Sequence, residues 1–307
     1  MNGSRPDVVA RPTPHGWLVI DKEGGMTSAA VVARVRRLIG VKKVGHGGTL
    51  DPMAEGILPI AIGEATKTVS YVMDADKAYR FTVRWGEGRD TDDAEGRVTA
   101  TSPVRPDRAE IEAALPAFQG EIMQVPPHFS AIKVDGRRAY DLARRDEMPT
   151  LSARPIRVER LSLVDSPDPD HGCFEVECGK GTYVRALARD LAVALGTVGH
   201  VTALRRLRVG AFDSATALTL NALESRIVEG DLDRSVLSVA AALSRMPAVE
   251  LDAGQAQRLK NGQMVPLIRR PAGVRDEEPF CTQFAGRPVA LARLAGGEIR
   301  PIRVFNF

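Results

Sequence analysis

The stretch Val44-Gly45-His46-Gly47-Gly48-Thr49-Leu50-Asp51-Pro52 gathers a histidine, a threonine and an aspartate among three glycines and a proline. Glycine allows backbone conformations and close approaches that other residues resist, so such a loop can bring a small polar group against a bulky ligand. Far along the chain, Lys180-Gly181-Thr182-Tyr183-Val184-Arg185 sets an aromatic ring and a cation at the start of an expected helix. A carboxylate that faces an arginine stays ionised, and an ionised carboxylate can act as a nucleophile. Asp51 and Arg185 are therefore candidates for one site. Glycines around Asp-Pro also mark ordinary turns, and the loop alone does not separate the two readings.

Other chemistries fit less well. His171, Cys173 and Cys178 lie close together, but zinc usually takes four ligands in paired short spacings. Cys178 falls on the apolar face of an alternating stretch and reads as core. The five histidines form no HExxH pattern. Gly45-His46-Gly47-Gly48 matches neither a dinucleotide-binding fingerprint nor a Walker A loop. Ser130 stands beside His128 on a Pro-rich loop, without a nucleophile elbow. We expect no metal and no nucleotide cofactor.

The elements that must position these residues follow from periodicity. A strand is expected near Trp17 to Ile20. Thr27 or Ser28 then caps a helix carrying Val31, Val32, Val35, Leu38 and Ile39, which Gly40 stops. Tyr79 to Trp85 alternates as a strand, and the acidic loop Arg89 to Gly96 follows. Asp107 caps a helix with Ile111, Leu115 and Phe118, which Pro116 kinks or ends. Phe174, Val176 and Cys178 alternate with Glu175 and Glu177, the mark of a half-buried strand. Val184, Leu187, Leu191 and Leu195 form one helical stripe, ended by Gly196. After Ser244 the texture changes: Asp252 caps a short helix, and Val289 to Phe305 reads as a hairpin through Gly296-Gly297.

The chain has 307 residues, 44% hydrophobic and 26% charged, with a net charge of +3. That is globular material, long enough for a sizeable core and a second small domain. Three cysteines make no disulfide framework and suit a reducing cytosol. Met1 to Gly16 lacks the apolar core of a secretory signal, and the apolar run Ile57 to Ile62 is far too short to span a bilayer. We expect a cytoplasmic protein without membrane contact. From Gln124 to Arg160 the chain is most basic, with Lys133, Arg137, Arg138, Arg144, Arg145, Arg154, Arg157 and Arg160. This is either a solvated face or a lobe that contacts phosphates.

Taken together, these residues resemble the bacterial TruB family of tRNA pseudouridine-55 synthases. The Gly45 to Pro52 stretch looks like the family's GHxGTLDP signature. Gly63-Glu64-Ala65-Thr66-Lys67, Asp76-Lys77-Ala78-Tyr79 and Asp90-Thr91-Asp92-Asp93 keep the family's order. So do Gln124-Val125-Pro126-Pro127, Ser130-Ala131-Ile132-Lys133, Lys180 to Arg185, His200-Val201 and Leu204-Arg205-Arg206-Leu207. The resemblance runs from about residue 15 to 215, and more loosely through a PUA-like end. It implies an α+β fold with a mixed, largely antiparallel sheet core of the pseudouridine synthase type, flanked by helices. Residues 1–244 would form the catalytic domain, with 124–160 as an RNA-gripping insertion. Residues 245–307 would form a small β-rich PUA-like domain.

By the same resemblance, Asp51 takes the place of the catalytic aspartate and Tyr79 that of the aromatic that stacks on the target uracil. Arg185 takes the place of the arginine that pairs with the aspartate. His46, Tyr183 and Leu204 fall at substrate-contact positions. The implied reaction isomerises uridine 55 in the T-loop of tRNA without a cofactor. The expected partner is the T-arm of tRNA, met by a monomer that requires no protein partner. Two departures stand out: Glu23 follows Lys22 where the family commonly has proline, and Arg89 stands where threonine is common. A non-catalytic RNA-binding or RNA-folding protein, or a related synthase with another RNA target, would share much of this pattern.

Overall fold

The computed structural model describes residues 14–130, 133–134, 137–138, 150–267 and 270–307. Tyr140, Arg144 and Arg145 of the basic stretch lie outside the described residues, as do the side chains of Lys133, Arg137 and Arg138.

The main sheet runs through eight strands: β1 (Gly16–Lys22), β2 (Glu55–Ile62), β3 (Lys77–Trp85), β4 (Gly120–Gln124), β5 (Arg154–Asp168), β6 (His171–Cys178), β7 (Gly199–Val209) and β8 (Ala217–Leu218). Their spatial order is β8-β1-β2-β7-β3-β6-β5-β4. The short strands Val44–His46 and Phe212–Asp213 add to β2 and β7 and complete ten strands. The β1–β8 and β2–β7 pairs are parallel. The other pairs along the path are antiparallel. The sheet is thus mixed and largely antiparallel, as the sequence led us to expect.

Local chemistry sets the element ends. Helix α1 (Ser28–Ile39) begins where the Thr27 hydroxyl accepts from the Ala30 amide, and it stops at Gly40 with φ 75°. A short helix α2 (Val69–Asp74) leads into β3. Helix α3 (Arg108–Ala114) carries a full capping box between Asp107 and Glu110. Pro116 ends it in a 3₁₀ turn over Leu115–Phe118. Helix α4 (Val184–Ala194) starts at Tyr183 and buries Leu187, Ala188 and Leu191 on the sheet.

Successive residues of β1 serve two cores, because strand side chains alternate between faces. Leu18 and Ile20 join Leu58, Phe81, Phe174 and Leu187 beneath the helices. Trp17 and Val19 pack with Cys281, Leu291 and Phe305. Cys281 and Leu291 belong to, and Phe305 directly follows, a second sheet of five strands: β9 (Ala248–Glu250), β10 (Val265–Pro266), β11 (Pro279–Phe284), β12 (Arg287–Ala295) and β13 (Glu298–Val304). Their order is β9-β11-β12-β13-β10. This sheet also encloses apolar residues of its own, among them Val249, Leu259, Phe280 and Ile299. Among the described residues no helix is long and apolar enough to cross a membrane.

Candidate active site

Where β3 and β7 run side by side, Arg206 pairs with Tyr79 and Leu204 with Phe81. Lys77, Tyr79, Leu204 and Arg206 thereby line one cavity of about 400 Å³. The loop Gly48 to Asp51 forms one wall, and the strand-to-helix turn with Tyr183 and Arg185 forms the opposite one. The volume suits a single planar ring with its sugar.

The residues on both sides of Asp51 are held in place. The Ser28 hydroxyl, at the start of α1, accepts from the Leu50 amide at 2.8 Å and donates to the Leu50 carbonyl at 3.0 Å. The Pro52 carbonyl accepts from the Gly25 amide at 2.8 Å and from Lys22 Nζ at 3.0 Å. Lys22 is buried and also donates to the Glu23 and Met26 carbonyls. The Glu23 departure is therefore local: its backbone oxygen serves the bracing, whatever its side chain. Arg206, 1% exposed, donates to the carbonyls of Gly48, Thr49 and Ile57 at 3.0, 3.2 and 2.7 Å. Two glycines make this approach possible. Gly48 has φ 128°. Gly56 has φ 97°, and a Cβ there would lie 2.2 Å from the Arg206 carbonyl oxygen.

Arg185 reaches Asp51 from the other wall. Its Nε stands 2.9 Å from Asp51 Oδ2, an ion pair in which the arginine side chain is buried and the aspartate partly open. The approach lies off the N–H direction, so no aligned hydrogen bond ties up that oxygen. The rest of the guanidinium is fixed by the Thr91 and Phe129 carbonyls at 2.8 and 2.9 Å, and by Asp93 at 3.3 Å. Asp92, with φ 60°, pairs with Arg189 at 2.9 Å. Two of the four carboxylates of the acidic loop, Asp92 and Asp93, thus dock onto α4. Arg89, the second departure, closes that loop by donating to the Ala94 and Gly96 carbonyls.

Burial shapes the protonation of the cavity wall. It raises the Tyr79 phenol, which keeps that ring neutral at physiological pH, although Arg206 pulls the other way. It lowers Lys77 to about 8. It raises Asp92 to about 6 against the pull of Arg189.

Of the residues singled out in the sequence, Asp51, Tyr79, Tyr183, Arg185 and Leu204 all line the cavity. Ser130 lines it too, beside Phe129. His46 does not. It sits on the short strand Val44–His46, not within the loop, and faces a separate depression against α1. Burial, with help from Arg206, lowers its pKa. The neutral ring accepts from the Gly48 amide through Nδ1 at 3.3 Å. His171 is paired with Asp168 at 2.8 Å. Among the described residues, no cluster of His, Cys, Asp and Glu has the makings of a metal site. In the described part of the basic stretch, Arg157 and Arg160 are paired with Glu159 and Glu177. Arg154 lies over the Tyr183 ring, 5.7 Å from its centroid.

Residue types and spacing gave no sign of the roles of Lys22, Lys77, Asp93 and Gln124. Gln124 clamps the Tyr183 backbone, accepting from its amide at 2.9 Å and donating to its carbonyl at 3.1 Å. For Arg206 a signal existed: two residues past Leu204, strand alternation sends it to the same face. Its neighbour Arg205 goes outward to Asp21 at 2.6 Å.

The chain is similar to known proteins over nearly its whole length. The model of the TruB family pseudouridylate synthase (N terminal domain) matches residues 36–184. That of the tRNA pseudouridylate synthase B C-terminal domain matches residues 185–244. A tRNA pseudouridine synthase B from Rhodospirillum rubrum is 53% identical over 297 residues, covering 95% of this chain and 96% of that protein. Its counterpart from Bradyrhizobium diazoefficiens is 54% identical, covering 95% and 86%. Among solved structures, an archaeal box H/ACA sRNP Nop10-Cbf5 complex contains a chain that superposes with a TM-score of 0.75. It is 24% identical and covers 97% of this chain and 89% of that one. At that identity the superposition speaks for the fold.

Proposed function

The chain belongs to the TruB family of pseudouridylate synthases, and from that premise we propose how its cavity carries out the reaction. The protein is a tRNA pseudouridine synthase, and uridine 55 of the T-loop is the family's target. In our reading Asp51 is the catalytic carboxylate, and the ion pair with Arg185 inside the cavity carries that assignment.

The target uridine must leave the T-loop stack before any side chain can reach C1′. Unstacking costs a few kcal/mol, which a stacking face and hydrogen bonds in the pocket offset. Tyr79 supplies that face, and Leu204 and Tyr183 border it. Asp51 then attacks C1′ or takes the neighbouring sugar proton to give a glycal. Asp51 lines the cavity, with the Arg185 guanidinium beside its Oδ2. After the base has turned and rejoined through C5, the C5 proton leaves; Tyr79, neutral at physiological pH, takes it only by giving up its own phenol proton. We assign His46, which lines the depression outside the cavity, to contact with T-loop nucleotides that flank the extruded one.

We assign residues 1–244 to the catalytic domain and 245–307 to a PUA-like domain, which the separate five-stranded sheet supports. We further propose a monomer in the cytoplasm, with the 124–160 stretch gripping RNA. The test is tritium release from a T-loop minihelix carrying 5-labelled uridine, with no guide RNA added. Release by the wild type and none by Asp51→Asn is expected. Release by Asp51→Asn at the wild-type rate would overturn the assignment. A protein that binds tRNA and releases nothing would be a binding or folding factor instead.

A further inference from the structure

We propose that Lys77 and Arg206 stabilise the negative charge of the uracil as it departs from C1′. The inference rests on the pseudouridylation reading above and adds to it a pair of residues that act on the leaving group.

The observation is an imbalance of charge on the cavity wall. Three cations line it, Lys77, Arg185 and Arg206. Arg185 is matched by Asp51 and Asp93. Lys77 and Arg206 have no carboxylate within salt-bridge distance among the described residues, although they are 8% and 1% exposed. Lys77 Nζ donates to the Met73 and Ala75 carbonyls at the end of α2. Arg206 spends three donors on carbonyls of Gly48, Thr49 and Ile57. The carboxylates nearest to Lys77 are engaged elsewhere, Asp74 by Lys180 and Asp76 by Arg245.

Two buried cations without a carboxylate at salt-bridge distance are costly. An anion that forms beside them during the reaction is stabilised strongly, because donors fixed in a water-poor site act most strongly on charge that develops there. Such an anion follows from the bond changes. When N1–C1′ breaks, its electron pair stays on N1 and spreads to O2 and O4. C1′ is meanwhile satisfied by the Asp51 oxygen or by loss of the sugar proton. When C5–C1′ forms, the Asp51–C1′ ester bond breaks, or on the glycal route the proton returns to the sugar; C5 then gives up its proton and N1 takes one, so atoms and electrons balance as an isomerisation. The charge is on the ring only between these steps. Tyr79 stays neutral and adds no negative charge against it.

The test compares two T-loop minihelices under single-turnover conditions, one with uridine and one with 5-fluorouridine at the target. The fluorinated ring bears negative charge more readily and needs less help. Lys77→Met should slow uridine consumption by about 10²-fold, with RNA affinity within about twofold. On fluorouridine the loss should be roughly ten times smaller. Lys77→Arg should recover most of the rate. Burial lowers Lys77 to about 8, in surroundings that include Arg206 from β7, Cys178 from β6 and Asp74 and Asp76 beside α2. The wild-type rate should therefore fall as pH rises through about 8, and Lys77→Arg should extend the plateau upward. Equal losses on both RNAs would overturn the proposal and mark Lys77 as a phosphate contact or a structural group. If Lys77→Met does not fold, superimposable pH profiles of the wild type and Lys77→Arg would overturn it instead. Wild-type inactivity on uridine would sink the pseudouridylation reading itself, a separate outcome.

Discussion

Nη2 of Arg206 donates to the carbonyl oxygen of Gly48 at 3.0 Å, three residues ahead of Asp51. With the bonds to Thr49 and Ile57, it makes a buried guanidinium the floor on which the candidate catalytic loop rests. Lysine keeps the charge but gathers its donors on one nitrogen, so it cannot reproduce the three separate guanidinium nitrogens that reach Ile57, Thr49 and Gly48. Arg206→Lys should lower kcat by about 10-fold or more through misplacement of Asp51, while the KM for tRNA changes little. Because buried carbonyls lose donors, stability should fall by about 1–3 kcal/mol. Steady-state kinetics and thermal unfolding on the same preparation check both. A normal kcat would show that the loop holds itself.

Lys22 braces the same loop from the other side. Lys22→Met would strip the donor from Glu23, Met26 and Pro52 carbonyls. We expect a loss of about 1–3 kcal/mol and a lower kcat, read by denaturant unfolding and tritium release. By contrast, Glu23→Pro should be nearly silent, provided that the carbonyl at that position stays in place.

Asp51→Asn should abolish turnover and leave tRNA affinity within about threefold, since a neutral amide of equal size cannot serve as the nucleophile. Arg185→Met should do harm of another kind. It would leave Asp51 and Asp93 without the cation between them, and removing one partner of a buried pair costs about 3–5 kcal/mol. Thermal unfolding should separate the two: the first variant keeps its melting temperature, the second does not.

The stability of the acidic loop should depend on pH through Asp92. Burial raises its folded pKa to about 6, from the ordinary aspartate value of 3.8. A folded pKa above the unfolded one means that the folded state holds its proton longer. The contribution is fully present below about 4 and is lost as pH rises to about 6, and it is flat beyond. Asp92→Asn, which also tolerates φ 60°, should flatten the wild-type slope between those values. Unfolding free energies measured across that window decide it. Parallel curves for the two proteins would dismiss Asp92 as the source.

Replacing Arg144 and Arg145 together should weaken tRNA binding. It should also reduce the slope of log affinity against log salt by about one to two, with less effect on the chemical step. An unreduced slope would remove these two residues from the RNA footprint.

Much of this molecule was written in short-range signals. Thr27, Asp107 and Asp252 cap the helices that follow them. Alternation from His171 to Cys178 marks a strand with one buried face. These signals survive in the sequence because capping and alternation act within a few residues. The motifs also pointed to Asp51, Tyr79, Tyr183, Arg185 and Leu204, which the fold gathers around one cavity. What the chain alone did not reveal was which charged residues would be buried, and where His46 would face. Lys22, Lys77 and Arg206 look like surface cations until distant segments cover them. The Arg206 bond to Ile57 spans 149 residues. Burial of a charge depends on the segments packed over it and on the carbonyls they present. Only the tertiary structure decides that, because the desolvation and the compensating hydrogen bonds come from parts of the chain far apart in sequence.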